Sequence, residues 1–132
     1  MTVTYTQHLV WNRSASGAPQ LNRPYAEVVL TGPKRSVRLW CLVDSGADYI
    51  QLNQTVATKA GITSFDSTQS VSTAAGGTTT LQVLDNADLS VEGTGLIDTC
   101  FFGSNTIPIL GRITFLNAFT DVGFDAKGWM YA

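Results

Sequence analysis

Residues 41–48 read Cys-Leu-Val-Asp-Ser-Gly-Ala-Asp, a short apolar segment that leads directly into a carboxylate. The apolar run begins at Leu39, and such a run is typical of a strand with both faces buried. This strand would hold Asp44 rigidly, while Gly46 would let the backbone turn with its N–H near the carboxylate and Ser45 would brace the loop. The triplet alone is equally compatible with an ordinary Asx-type turn. Whether Asp44 is catalytic therefore depends on the rest of the chain.

The length limits the number of domains, and the charge composition limits the kinds of partner. A length of 132 residues suits one domain with one core. Eight Lys and Arg against ten Asp and Glu give a net charge of −2, and 14% of the residues are charged. A typical soluble domain has roughly 25%. The one basic cluster, Lys34, Arg35 and Arg38, is short and is interpreted as a solvated hairpin end, so we predict no nucleic-acid partner.

The sequence contains no segment typical of a membrane span or a secretion signal. Its longest uninterrupted apolar run is Leu39–Val43, far shorter than a spanning helix needs. Residues 1–20 lack the basic-then-apolar pattern of a signal peptide. We therefore predict no membrane partner and a cytoplasmic location.

Metal and cofactor chemistry has few candidate ligands in this sequence. The only histidine is His8, so sites built on paired histidines and most Ser-His-Asp arrangements lack their components. Cys41 and Cys100 form no recognisable framework and are expected to be reduced and buried, not joined in a disulfide. We predict no metal and no cofactor.

The hydrophobic periodicity is mostly that of β-strands. Residues 12–19 are expected to form a loop, and residues 63–80, rich in Ser and Thr, a β-hairpin with the tip Ala74-Ala75-Gly76-Gly77. Strands are predicted at residues 2–11, 24–31, 37–43, 49–52, 87–91, 95–102, 107–110, 122–125 and 128–131.

Two short helices interrupt the strands. Asn53 is expected to cap a helix that runs through Ala60 and ends at Gly61. The second helix is expected over residues 111–119. Its inward-facing residues are predicted to be Ile113, Leu116 and Phe119.

The Asp44 segment and a second motif together resemble a known family. Apolar-apolar-Asp-Ser-Gly-Ala-Asp resembles the active-site segment of retropepsin-like aspartic proteases, the single-lobe relatives of pepsin. The family's second signature, an apolar stretch ending in Gly-Arg before a short helix, is similar to Ile107–Arg112. The glycine-rich hairpin lies between the two motifs, where these enzymes carry a flap, and Arg23-Pro24 precedes the first core strand. The resemblance spans residues 23–125 and rests on ordered motifs.

The resemblance implies both a fold and an activity. The fold is expected to be all-β, a retropepsin-like acid protease half-barrel with a β-hairpin flap and two short helices. The activity is expected to be that of an aspartic endopeptidase acting on a peptide or protein substrate. Two carboxylates then share one proton, so that one activates water while the other protonates the carbonyl oxygen. Because the chain offers one suitable carboxylate, we expect a homodimer in which Asp44 of each subunit meets at a two-fold axis.

Candidate site residues also follow from the resemblance. The catalytic candidates are Asp44, Ser45 and Gly46, and Ser45 is expected to bond to its mate across the dimer axis. Gly111 and Arg112 are expected to be structural, with Arg112 in a buried ion pair with Asp48. Of Ile107, Ile109 and Leu110, at least one is expected to be core and not site wall. The substrate-binding candidates are Ala47, Asp48, Ala74, Ala75, Gly76, Gly77, Ile107 and Ile109.

Three alternatives stay open at the level of sequence. Leu96-Ile97-Asp98-Thr99 also places an Asp after an apolar pair, so a monomer could use Asp44 with Asp98, although Cys100 replaces the glycine. In that case the expected dimer is unnecessary; otherwise Asp98 is a turn or strand-end carboxylate. The second alternative is a catalytically weak or inactive retropepsin-fold module that binds peptide or dimerises. The third is a β-sandwich binding module in which Asp-Ser-Gly is a plain turn.

The domain organisation is predicted to have two parts. Residues 1–22 are expected to form an N-terminal strand and loop extension outside the usual family core. Residues 23–132 are expected to form the protease domain. The extension is expected either to add to the dimer interface or to pack on the outside of the sheet.

Overall fold

The computed structural model describes residues 6–8, 24–72, 76–104, 107–125 and 128–132. The predicted loop at residues 12–19, Arg23, Ala74 and Ala75 lie outside the described residues. The described elements are β1 (Thr6–His8), β2 (Tyr25–Thr31), β3 (Ser36–Asp44), β4 (Ile50–Asn53), α1 (Gln54–Ala60), β5 (Ser67–Ser72), β6 (Thr78–Val91), β7 (Thr94–Gly103), β8 (Ile109–Gly111), α2 (Arg112–Ala118), β9 (Val122–Asp125) and β10 (Gly128–Tyr131).

Seven strands form one sheet that closes on itself. Their order is β2-β3-β8-β4-β7-β6-β5, and β2 also pairs with β6, which closes the first six into a barrel and leaves β5 as an arm on β6. The interior of the barrel is apolar, with fully buried Phe102, Leu30, Ile50, Leu52 and Leu110 among its larger side chains. The fold is therefore all-β with two short helices, as the sequence predicts.

Helix α1 begins and ends where its sequence predicts. The Asn53 side chain accepts a hydrogen bond from the Thr55 backbone N–H at 2.9 Å, which satisfies one of the unpaired donors of the first turn. Gly61 follows the helix in the left-handed conformation, with φ of 82°, and its N–H reaches back to the helix. Both boundaries are therefore confirmed, and both depend on local hydrogen bonds.

Strand β6 is longer than predicted. The sequence predicts a hairpin arm up to about Thr80 and a separate strand at residues 87–91, whereas β6 runs without a break from Thr78 to Val91. The irregularity falls between Leu84 and Ala87, where the register against β7 shifts. Because a bulge changes the register without ending the strand, one strand carries both the hairpin arm and the barrel wall.

Helix α2 turns a different face inward from the one predicted. Phe119 is buried as expected, but Leu116 is 49% exposed, Ile113 is only half-buried, and the buried helical residues are Thr114 and Phe115. The prediction for Leu116 was wrong because a helix of seven residues has apolar side chains on more than one face. Hydrogen bonds from its first turn to the backbone oxygens of Ala47 and Asp48 determine which face turns inward.

Strand β1 and the last two strands form a second, three-stranded sheet with the order β1-β10-β9. The predicted final hairpin is confirmed by antiparallel pairing of β9 with β10. Of the strand predicted at residues 2–11, the described part is β1, which pairs with β10. The N-terminal strand is therefore joined to the C-terminal hairpin of its own chain. None of the described helices is long and apolar enough to cross a membrane.

Candidate active site

Asp44 is the last residue of β3, at the point where the strand leaves the barrel. Its Oδ1 accepts a hydrogen bond from the Gly46 backbone N–H at 2.8 Å, and its backbone oxygen accepts one from Ala47 at 3.3 Å. A Cβ at Gly46 would lie 3.2 Å from that same Oδ1, so the glycine gives the carboxylate room. The predicted approach of the Gly46 N–H to the carboxylate is confirmed. Asp44 is half-buried, and Ser45 beside it is exposed.

Strand β8 brings the second motif to the first. β8 runs parallel to β3 with Asp44 opposite Gly111, so the Gly-Arg pair lies beside the Asp44 loop. A Cβ at Gly111 would lie 2.5 Å from the carbonyl carbon of Asp48 and from the nitrogen of Tyr49, which no relaxed structure allows. The absence of a side chain at Gly111 therefore permits the loop to pack against the start of α2.

The first turn of α2 is capped by the loop itself. Gly111 contributes no side-chain cap, and the backbone N–H groups of Arg112 and Ile113 donate to the oxygens of Ala47 at 2.7 Å and Asp48 at 2.8 Å. The first N–H groups of a helix have no partner within the helix. These two bonds satisfy that need and at the same time fix the position of the loop.

The predicted ion pair between Asp48 and Arg112 is present, but it is exposed. The shortest distance from Arg112 Nη2 to Asp48 Oδ1 is 3.6 Å, with the side chains 54% and 71% exposed, respectively. The prediction that this ion pair is buried was therefore wrong for the single chain. Exposed ion pairs stabilise by about 0–1 kcal/mol, so the backbone hydrogen bonds hold the loop more strongly than this pair does.

A cleft of about 280 Å³ lies between the Asp44 loop and the β5–β6 hairpin. The residues lining it come from the loop, from β4 and β7, and from the hairpin. They are Gly46, Ala47, Asp48, Tyr49, Gln51, Gln69, Val71, Leu81 and Phe101.

Only some of the predicted substrate-binding residues line this cleft. Ala47 and Asp48 line it, as does the predicted catalytic Gly46. Gly76 and Gly77 lie near the hairpin end and are exposed, and Ile107 and Ile109 are respectively exposed and half-buried; none of these four lines the cleft. Of the three candidate wall residues, Leu110 is fully buried in the core, which confirms that at least one is core.

Six further residues line the cleft and were missed by the sequence analysis: Tyr49, Gln51, Gln69, Val71, Leu81 and Phe101. Pairing explains their convergence, since Gln69 lies opposite Leu81 on the hairpin and Gln51 lies beside Phe101 where β4 meets β7. The rings of Tyr49 and Phe101 are 5.6 Å apart in an edge-to-face arrangement. Strand alternation places such residues on a shared face, but only strand pairing decides which faces meet.

A family model described as "Aspartyl protease" matches residues 26–102, which is more than half of the chain and includes the Asp44 loop, β4, the hairpin and most of β7. The chain belongs to the aspartyl protease family. Its closed all-β barrel with two short helices agrees with the retropepsin-like members of that family. A comparison with curated proteins found no match.

Asp98, the alternative carboxylate of this aspartyl protease domain, occupies the middle of β7 and not a turn or strand end. Its oxygens accept hydrogen bonds from the Thr99 N–H at 2.7 Å and from Asn117 Nδ2 at 2.9 Å. Asn117 is near the far end of α2, six residues beyond Gly111, or about 9 Å of helix axis. Since Gly111 is the residue opposite Asp44, the two carboxylates are associated with opposite ends of α2.

The two cysteines are free and fully buried, as predicted. Burial raises the pKa of the Cys41 thiol, and burial, with the nearby Cys41 and Asp98, raises that of Cys100. Both thiols are therefore protonated at neutral pH. Within the described ranges, no three His, Cys, Asp or Glu side chains are grouped closely enough to hold a metal ion.

Proposed function

We propose that this aspartyl protease domain is an aspartic endopeptidase whose active site forms when two copies of the chain meet. The observation that carries the proposal is the Asp44 carboxylate, which accepts a hydrogen bond from the Gly46 N–H; Gly46 lines the cleft, whereas Asp44 and Ser45 do not. The Asp-Ser-Gly-Ala-Asp loop is complete, and the family assignment covers it.

The proposed reaction needs a second carboxylate beside Asp44. Peptide hydrolysis by aspartic proteases uses two carboxyl groups that share one proton, because like charges at close range cannot both ionise. One group takes a proton from water, and the other donates its proton to the carbonyl oxygen of the scissile bond. In the single chain, Asp98 is bound to Asn117 and does not share the Asp44 loop. We therefore assign the second carboxylate to Asp44 of a second subunit, with Ser45 of each subunit bracing the loop across the two-fold axis.

The cleft supports a substrate with an apolar side chain near the scissile bond. Tyr49, Val71, Leu81 and Phe101 are among the residues that line it, and apolar side chains of this kind favour a ligand whose binding excludes water. Asp48 and Ala47 also line the cleft, and we propose that they contact the substrate backbone.

The β5–β6 hairpin is proposed to act as a flap over this cleft. Its arms supply Gln69, Val71 and Leu81 to the lining, and Gly76 and Gly77 lie between the two arms. Gly76 has a φ of 86°, a backbone conformation that residues with a side chain rarely adopt. Closure of such a hairpin would exclude water from the reacting groups.

The test is cleavage of a mixed peptide library across pH by the wild type and by Asp44→Asn. The substitution keeps the shape of the side chain but removes its acid–base function, which contributes about 10²–10⁴-fold in rate. Asp98→Asn is the matched control and should retain activity. Equal cleavage by wild type and Asp44→Asn, or none by a folded dimeric wild type, would reject the proposed enzyme.

Sedimentation measures the fraction of dimer, which tests the proposed dimer separately from the proposed reaction. We expect activity per chain to rise with protein concentration along with the dimer fraction, because each chain holds half of the site. An active monomer would contradict the shared dyad and would make Asp98 a candidate again.

A further inference from the structure

Among the residues whose solvent exposure the structure describes, Thr114 is the only polar side chain that is fully buried. Its neighbour Phe115 is also buried, and the adjoining barrel core is apolar. A buried hydroxyl in such surroundings is costly unless it is hydrogen-bonded. Thr114 Oγ1 accepts a hydrogen bond from the Ile50 backbone N–H at 3.2 Å.

This bond continues the contacts between α2 and the Asp44 loop. The oxygens of Ala47 and Asp48 already accept from the first two N–H groups of α2. Ile50 lies two residues after Asp48, and its N–H donates to Thr114, which belongs to the same turn of α2 as Arg112 and Ile113. Three backbone groups within four residues are thus bound to one helical turn.

The Thr114 bond joins the helix to a distant segment, unlike the local bond that a helical threonine can make. Such residues commonly donate to a carbonyl oxygen one turn earlier in their own helix. Thr58 in α1 does so, with Oγ1 donating to the Gln54 oxygen at 3.3 Å. Thr114 instead accepts from a residue 64 positions away, at the end of the loop that begins at Asp44.

We propose that Thr114 is a positioning residue for the Asp44 loop: its buried hydroxyl anchors the C-terminal end of the loop at Ile50, while β3 anchors the other end at Asp44. The proposal rests on the aspartic protease function proposed above. Thr114 acts through the loop backbone and does not touch substrate. In a homodimer both loops carry this anchor, so a shift would affect both carboxylates of the dyad.

Two substitutions separate the hydroxyl from the volume of the side chain. Thr114→Val keeps the shape and leaves the buried Ile50 N–H without its acceptor, whereas Thr114→Ser keeps the hydroxyl and removes a methyl group. Thr58→Val is the matched control, since it removes a helical threonine hydroxyl far from the loop.

The first measurement is steady-state cleavage of a peptide substrate. We expect Thr114→Val to lower kcat by about 10- to 100-fold, because a misplacement near 1 Å can cost about 100-fold, with a smaller change in KM. Thr114→Ser should stay within about threefold of wild type, although it creates the larger packing defect. If Thr114→Ser is the more damaged variant, or if Thr114→Val matches Thr58→Val in kcat, the positioning role is refuted.

The second measurement is backbone hydrogen exchange, which does not depend on activity. Exchange at residues 46–50 should accelerate at least tenfold in Thr114→Val relative to the amides of β2, and should be unchanged in Thr114→Ser. Uniform acceleration across the barrel would refute the role. Were the wild type to cleave no peptide, the protease proposal would fail by itself, and the exchange result would still decide whether Thr114 anchors the loop.

Discussion

Replacing Gly111 with alanine should destabilise the protein strongly, because the added methyl group has no space. Its Cβ would lie 2.5 Å from the carbonyl carbon of Asp48 and from the nitrogen of Tyr49. Non-bonded carbon atoms prefer about 3.5–4.0 Å, so a displacement of roughly 1 Å is needed. The atoms in the way belong to backbone that Arg112 and Ile113 hold by hydrogen bonds, so the strain has no flexible side chain to absorb it.

The expected cost of Gly111→Ala is at the upper end for overpacking, about 3 kcal/mol. At roughly 4 °C per kcal/mol for a chain of this size, Tm should fall by about 12 °C. Gly95→Ala is the matched control, because a Cβ at Gly95 meets nothing within 4 Å and its φ lies outside the left-handed region. That variant should change the free energy of unfolding by less than about 1 kcal/mol.

The assay is urea and thermal unfolding followed by tryptophan fluorescence, at one protein concentration because dimerisation would shift the apparent stability. The reasoning fails if Gly111→Ala unfolds at the same urea concentration as Gly95→Ala. That result would mean that the Asp44 loop can move away from α2 at little cost. Peptide cleavage should also fall in Gly111→Ala and not in Gly95→Ala.

Three other predictions concern the helix cap, the thiols and the cleft. Asn53→Ala should lower the free energy of unfolding by about 1 kcal/mol in urea denaturation, whereas Asn53→Asp, which can still accept at the cap, should not; equal losses would contradict the cap. Because burial raises the thiol pKa of Cys41 and Cys100 above the ordinary 9.0, only the unfolded chain loses these protons as the pH rises. The free energy of unfolding should thus be retained below pH 9 and fall above it by up to about 1.4 kcal/mol per pH unit for each thiol. A double Cys→Ala variant whose stability declined as steeply in the same denaturation series would contradict this. Val71→Asp should raise KM for apolar peptides about tenfold by placing a charge in the cleft, while Ser70→Asp, on the other face of β5, should not; similar KM values would show that the cleft does not bind these side chains.

Local signals in the sequence were sufficient where the structure depends on neighbouring residues. The ends of α1 follow from an Asn that caps and a Gly that adopts a positive φ, and both effects act within a few residues. The Gly46 N–H lies only two residues from the Asp44 carboxylate that it contacts. Features of this range could be predicted because chain connectivity alone brings the groups together.

Features that depend on distant strands could not be predicted in the same way. The inward face of α2 was misassigned, since Leu116 and Phe115 are both apolar and a seven-residue helix offers too few turns to distinguish them. The faces were decided by hydrogen bonds to Ala47, Asp48 and Ile50, more than 60 positions away. The Asp48–Arg112 pair was predicted from the family resemblance, but its exposure was not.

The sequence by itself determined the all-β class, the family and the Asp44 motif, because these are carried by residue types at short spacings. The association of that motif with Gly111-Arg112 was expected only from the family resemblance, since 67 positions separate Asp44 from Gly111. Only the tertiary structure decided which side chains line the cleft and which hydroxyl holds the loop. Val71, Leu81 and Phe101 look like ordinary strand residues, and they line one cleft only because β6 pairs with β5 on one side and with β7 on the other. Thr114 likewise resembles any helical threonine until parallel pairing of β3 with β8 places α2 beside the loop. Strand pairing joins groups far apart in the chain, and such pairing depends on the packing of the whole core.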